Sequence, residues 1–297
     1  MDFKKIMKNE NFFAWMLLLP TSAVMIAIRL WPMIQGIGMS FTNRRLLNDR
    51  PLQFIGLDNY IRLFQDNAYW RVVSFTLIYT LGTVVISYLI GLIVALLMNM
   101  KIQYGRGIFR TILMIPWVLP WVVAAYIWRF SLNDQLGIIN YLLQELSLTS
   151  SPVPFFSTPV MARISVIIVS SWKNFPFMAL VLLAGLQNVS EEIKEAAKID
   201  GASGWQTFIH VIFPQLKGVT SMCTTLMFIW TFNSFDAIFL LTSGGPSDAT
   251  SVISLQAYQT AFARMSTGYA TSMATLMLVF MLIIIMAYMR LLRGKEE

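Results

Sequence analysis

The chain is poor in charge, histidine and cysteine, and each scarcity removes a class of function. Charged residues make up only 12% of its 297 positions, where a soluble domain carries about 25%. His210 is the sole histidine. It lies in a polar insert, where a solvated or interfacial role suits it, and Ser–His or Cys–His nucleophilic chemistry is left without a base. Cys223, the one cysteine, sits inside an apolar run as a small buried hydrophobe. One thiol supports neither a disulfide framework nor a zinc site. There is no GxxxxGK[ST] phosphate loop, so this chain is not expected to hydrolyse ATP, and there is no HExxH or other metal-ligand cluster. Ten-residue alternation of the barrel kind is absent. So are internal repeats and low-complexity tracts. The first apolar run follows Lys4, Lys5 and Lys8 but lacks a small-residue cleavage site, so no cleavable signal peptide is expected.

Apolar residues fill the space. They make up 57% of the chain and gather into runs near the 20 or so residues that a hydrocarbon core requires. Six runs are read as spans: 12–34, 72–98, 109–130, 161–186, 216–241 and 269–291. The expected fold is an all-α membrane protein with six transmembrane helices. The net charge of +7 fits basic residues that fix orientation better than it fits nucleic-acid binding. Lys4, Lys5 and Lys8, then Lys101, Arg106 and Arg110, then Lys194, Lys198 and Lys217, and finally Arg290, Arg293 and Lys295 fall on one side of a six-span chain. That side should be cytoplasmic, with both termini in it. The 42–71 loop disagrees, since it carries Arg44, Arg45, Arg50, Arg62 and Arg71. The reading divides the chain into a cytoplasmic N-terminus (1–11), the six-helix domain (12–291, with a polar cytoplasmic loop at 187–214) and a cytoplasmic tail (292–297).

The outer loops look folded. Residues 54–64 read as a turn and a short amphipathic helix, with Asp58 or Asn59 as N-cap. Residues 133–146 carry apolar residues at helical spacing, and a short surface helix is expected there. Thr242-Ser-Gly-Gly-Pro246 should turn tightly after the fifth span.

The polar insert EAAKIDGASGWQTFIHVIFP, 195–214, reads as helix, break, helix. Ser190-Glu-Glu-Ile193 offers a start resembling a capping box, with acids in the first turn. Gly201 permits a change of direction that a side chain would resist. Trp205, Phe208, Ile209 and Ile212 recur at helical spacing, and Pro214 punctuates the approach to the fifth span. An interfacial helix lying on lipid is one reading. The small surfaces Ala196-Ala197 and Gly201-Ala202 favour the other, close docking on a soluble protein.

Polar residues within spans are costly and usually face a cavity or a partner. Lys173 and Asn174 interrupt the fourth span, and Asn233 and Asp236 the fifth. They could form a Lys173–Asp236 ion pair, snorkel to an interface, or line a cavity that binds hydroxyls. Trp117, Trp121, Trp172 and Phe177 could face a sugar ring or anchor the chain at the interface. Pro116, Pro120 and Pro176 each remove a backbone donor and invite kinks beside these residues. Pro20 reads as a packing kink.

Glu195-Ala-Ala, three residues, Gly201, nine residues and Val211-x-Phe213-Pro214 together resemble the signature loop of permease subunits of binding-protein-dependent ABC importers. Val211 and Phe213 stand where that family usually has Ile and Leu. Phe54-x-Gly-Leu-Asp-Asn-Tyr60, Gly105-x-Gly-x-Phe-Arg110, Pro116-Trp-x-x-Pro120, Trp172-Lys-x-x-Pro-Phe177, Ile199-Asp-Gly-Ala202 and Thr242-x-Gly-Gly-Pro246 look like the carbohydrate-uptake branch. The likeness runs the length of the chain, and it is similar to the larger maltose-type permease without its N-terminal extension. The resemblance implies a coupling helix in which Glu195, Ala196, Ala197, Asp200, Gly201, Ala202 and Pro214 meet a cytoplasmic ATPase. It implies two such ATPases binding ATP and magnesium, a second permease and an extracytoplasmic solute-binding protein, in the bacterial inner membrane. The sugar-lining positions it implies fall on Trp121, Ser170, Lys173, Asn174, Phe177, Met227 and Thr231, to which the span-interrupting Asn233 and Asp236 are added.

The expected function is therefore a non-catalytic permease subunit of an ATP-driven sugar importer, without a cofactor of its own. The alternatives are an ABC permease for a glycerol phosphodiester or polyamine, an ion-coupled transporter, and a membrane enzyme acting on lipid-linked glycans. The last lacks an acid/base constellation, and the ion-coupled transporter would leave the Glu195 loop without purpose.

Overall fold

The computed structural model describes residues 10–47, 51–100 and 106–293. Lys4, Lys5, Lys8, Arg50, Lys101, Gly105 and Lys295 lie outside them, as do most of the two proposed tails. Among the described residues there are helices and no strand, only an isolated bridge between Thr42 and Phe54. The chain divides into two units, 1–66 with 257–279 and 67–256 with 280–297.

The first unit begins with α1 (Glu10–Met25), a π turn (Ile26–Leu30) and α2 (Trp31–Met39) in unbroken succession. Trp31 N–H reaches back to Ile26 O, and Pro32 follows at once. A proline ring clashes with the carbonyl four residues back. For Pro32 that carbonyl belongs to Ile28, inside the widened turn, which makes room for it. After α2 the chain doubles back through Ile55 N–H to Phe41 O (2.9 Å) and enters α3 (Asp58–Gln65). The expected N-cap is corrected here. Leu57 holds that position and no side chain caps the helix. Asn59 is instead buried and spends its amide on Ser40 O (2.9 Å) and Thr42 O (3.0 Å), which ties α3 to the end of α2. Gly268 comes so close to the Thr42 and Arg44 backbone that a Cβ would overlap it.

The second unit is built on α4 (Asn67–Asn99) and α8 (Pro159–Gln187), which lie against each other along most of their length. Gly91 allows the approach: a Cβ there would sit 2.6 Å from Met178 Cβ. Phe75, Tyr79, Val166, Val169, Ile238 and Leu255 are buried in the same core.

Two expected spans are not single helices. The third is α5 (Arg106–Val118) and α6 (Trp121–Ser131), bent by 91°. A kink was expected; Pro120 produces a break, since it has no N–H to continue the ladder and forces the preceding residue towards an extended backbone. After α6 comes the short α7 (Ile138–Glu145), in the region expected to be helical, led by Asn133 Oδ1 accepting from Gln135 and Leu136 N–H. α8 leads into α9 (Glu191–Ile199), α10 (Gly204–Thr207), a second π turn (Phe208–Ile212) and α11 (Phe213–Gln215). The fifth expected span is α12 (Lys217–Phe232) and α13 (Asp236–Leu241), only 16 and 6 residues long. No proline parts them. Asn233 turns its side-chain amide back onto Ile229 O at 2.8 Å, and a side chain that bonds its own backbone competes with the helix. The tight turn expected at 242–246 is present, with Gly245 N–H donating to Thr242 O (2.9 Å) and Gly244 at φ +89°. α14 (Ile253–Phe262) and α15 (Thr267–Arg293) close the chain. Among the described residues four uninterrupted helical stretches are long and apolar enough to cross a membrane, and the bent pair would make a fifth.

Candidate coupling segment and solute path

The 187–214 insert folds as helix, break, helix. Ser190 caps α9 by accepting from Glu192 N–H (3.2 Å), and Lys194 pairs with Glu191 at 2.9 Å. The reciprocal capping box lies one helix later. Ser203 Oγ accepts from Gln206 N–H while Gln206 Oε1 accepts from Ser203 N–H. The Ser203-x-x-Gln206 spacing is the sequence signal for it. Between the two helices Gly201 has φ +79°. Gly201 N–H donates to Lys198 O (3.1 Å) and Ala202 N–H to Ala197 O (2.9 Å). That pair of bonds is a Schellman motif, with Gly in the left-handed position it favours.

Glu195, Ala196, Asp200, Gly201 and Pro214 are exposed, while Ala197 and Ala202 are half-buried. Ile199 is 86% and Trp205 69% exposed. Large apolar side chains bared on a polar segment mark a surface that meets something. The expected apolar face is partly assembled: Trp205 stacks on Phe208 at 5.9 Å, and Phe208 meets Phe213 at 6.0 Å. The periodicity did not foretell the π turn. Its cause repeats that of the first, since Pro214 follows it and the carbonyl four residues back, at His210, lies within it.

The expected path residues make several separate sets of contacts. Lys173 is buried, and its Nζ donates to the carbonyls of Pro116 (3.2 Å), Trp117 (3.2 Å) and Leu119 (2.5 Å). It lies 5.2 Å from the Trp121 ring centre. An ion pair with Asp236 is therefore not formed among the described residues. Asp236 is exposed at the first turn of α13. Phe177 stacks on Trp117 (6.0 Å) and meets Trp230 edge-on (5.0 Å). Trp172 sets an edge against Trp128 at 5.3 Å. Ser170 is wholly buried and shares a hydrogen bond with Tyr79 Oη (2.9 Å), which reaches Ser234 Oγ at 3.5 Å.

Met227 and Thr231 are buried on α12, and the Thr231 hydroxyl has no hydrogen-bond partner among the described residues. Asn174 is half-buried and Asn233 exposed, its amide also touching Met281 Sδ at 3.2 Å. The structure thus joins Trp121 to Lys173, and Phe177 to both Trp117 and Trp230, while Asn233 makes its side-chain contacts with Ile229 O and Met281 Sδ. Tyr79, Ser234 and Trp230 contact the expected residues but lie outside the expected set. A signal for the α4 face existed: Thr76, Thr80, Thr83 and Ser87, all buried, recur at helical spacing beside Tyr79.

Residues 87–295 match the family described as binding-protein-dependent transport system inner membrane component. The trehalose/maltose transport system permease protein of Thermococcus litoralis is 34% identical over 255 residues, covering 86% of this chain and 85% of that protein. The trehalose transport system permease protein SugA of Mycobacterium tuberculosis is 31% identical over 286 residues, 95% of this chain and 89% of that one. Among solved structures, a chain of a bacterial ABC transporter importing the acidic polysaccharide alginate superimposes with a TM-score of 0.82, covering 98% of both chains at 23% identity, and shares the fold. A chain that is helical throughout its described residues, with several apolar segments long enough to span a membrane, one of them broken at Pro120, and an exposed helix–glycine–helix insert, is thereby placed: it belongs to the binding-protein-dependent family of inner membrane components, the permease subunits of ABC importers.

Proposed function

We propose that this subunit carries a sugar or oligosaccharide across the bacterial cytoplasmic membrane as one half of a heterodimeric pore. What supports the reading is identity above 30% across most of the chain with permeases named for trehalose and maltose. The chain would cross six times, the broken segments 106–131 and 217–241 each serving as one crossing, with both termini cytoplasmic. The domain boundaries would be those read above, 1–11, 12–291 and 292–297. A second permease, two ATPase subunits and an extracytoplasmic solute-binding protein would complete the machine, with ATP and magnesium held by the ATPases.

In this reading α9 is the coupling helix. Glu195 meets a basic residue of the ATPase, Ala196, Ala197, Asp200, Gly201 and Ala202 allow close seating, and Pro214 sets the way back into the membrane. The solute path runs past Trp121, Ser170, Asn174, Phe177, Met227, Thr231, Asn233 and Asp236, with Lys173 acting from behind Trp121. Aromatic faces suit the apolar faces of a sugar ring, and the hydroxyl and amide groups suit its edges.

The test is to purify the tagged chain gently and identify what travels with it by mass spectrometry. A second permease and an ATPase with a phosphate loop are expected, and a co-purifying binding protein is then titrated with trehalose and maltose. A chain that emerges alone, under conditions that keep known importers whole, would refute the assembly. A binding protein that ignores both sugars and prefers an ionic solute would refute the substrate class.

A further inference from the structure

A lysine that is 6% exposed within a membrane segment needs an anion or an equivalent. Among the described residues Lys173 has no carboxylate partner, and the partners it has are all main chain. Three carbonyls take its three N–H groups, so the ammonium is fully used. These oxygens are free for a definite reason. Pro116 O would bond to the N–H of residue 120 in a continuing helix, and residue 120 is proline. Trp117 O and Leu119 O lie where α5 ends and the chain swings through 91°. The end of a helix leaves its last carbonyls unsatisfied and carries the negative pole of the dipole. The Trp121 ring adds an aromatic face 5.2 Å from the nitrogen, a further attraction for a cation.

We propose that the Pro120 break is a monovalent-cation site made of backbone, and that Lys173 Nζ is its resident cation. Lys173 is then a positioning residue. It satisfies the carbonyls that the prolines release, and so holds both the angle between α5 and α6 and the place of Trp121. A small neutral side chain at 173 would leave the cage open to a cation of similar size, whereas a long apolar one would plug it. The bearing on transport rests on the importer reading; the cage does not, and thermal unfolding probes it without a solute.

Lys173→Ala and Lys173→Met are purified in the assembled complex, and thermal unfolding is followed in sodium, potassium, ammonium and tetramethylammonium chloride at equal ionic strength. In sodium the expected fall in Tm is about 5 °C for both variants. Ammonium or potassium should return at least half of it to Lys173→Ala and none to Lys173→Met, with tetramethylammonium, too large for the cage, inert. Wild type should not discriminate among the salts. Lys173→Ala unmoved by ammonium and potassium, or Lys173→Met as stable as wild type, would overturn the proposal. If the single variants do not assemble, Pro120→Ala decides. It returns an N–H to Pro116 O, so Pro120→Ala/Lys173→Met should assemble where Lys173→Met does not. A double variant equally absent from membranes would count against the cage.

Discussion

Gly201 offers a prediction whose size can be worked out. Its φ is +79°, and a Cβ built on it meets nothing within 4 Å in this subunit. A Cβ there would therefore meet no neighbour, and the cost of Gly201→Ala is conformational, about 1–2 kcal/mol for left-handed backbone. If an ATPase grips the segment only when α9 ends in its Schellman turn, that cost passes into association as a roughly 5- to 30-fold weaker affinity. Asn tolerates the left-handed region better, so Gly201→Asn should lose much less, and Gly201→Val at least as much as Ala. The assay is titration of the ATPase onto the permease in nanodiscs, beside uptake in cells. The order Gly, Asn, Ala, Val would support the turn as the determinant. An Asn variant as weak as Val would refute it, because the partner would then be rejecting any atom at that surface. Ala and Val binding like wild type would mean that the glycine serves neither purpose.

Glu195→Lys should abolish uptake without lowering the amount of subunit in the membrane; uptake near wild type would remove α9 from the coupling path. Single cysteines placed between 196 and 204 should react with impermeant maleimide from the cytoplasmic face only, and labelling from outside would invert the topology. Gly91→Leu forces α4 away from Met178 and should cost about 1–3 kcal/mol by overpacking, seen as a Tm several degrees lower and destabilised assembly; an unchanged Tm would show that the interface gives way freely. Asn59→Ala leaves Ser40 O and Thr42 O short of a donor, a loss of about 1–3 kcal/mol, read as faster proteolysis of the 42–58 loop.

Much of this architecture was legible because the signals are local. Apolar runs near 20 residues announce spans, and Gly201 and the Ser190 cap are readable at single positions. The breaks were less so. Pro116 and Pro120 promised a kink, but the size of the bend follows from what replaces the lost hydrogen bonds, and the replacement comes from Lys173, 53 positions after Pro120 in the chain. The 233–235 break has no proline to announce it and depends on an amide choosing its own backbone. Asn59 looked like a cap because its type suits one; the nearby carbonyls of Ser40 and Thr42, brought round by the preceding turn, claimed it instead. The Tyr79–Ser170 contact joins residues 91 apart in sequence, beyond the reach of any periodicity.

The insert between α8 and α12 satisfies much of its own backbone. Ser190 and Ser203 serve helix starts, and the Schellman bonds close the end of α9. Such a segment has little left to order when it is touched. A protein seated on it would meet a finished shape and lose little chain entropy in binding, so contact there would resemble the meeting of two rigid bodies. A displacement applied at Ile199 or Trp205 would then be passed on towards α12 as a push on a stiff rod, with little of it absorbed as local rearrangement.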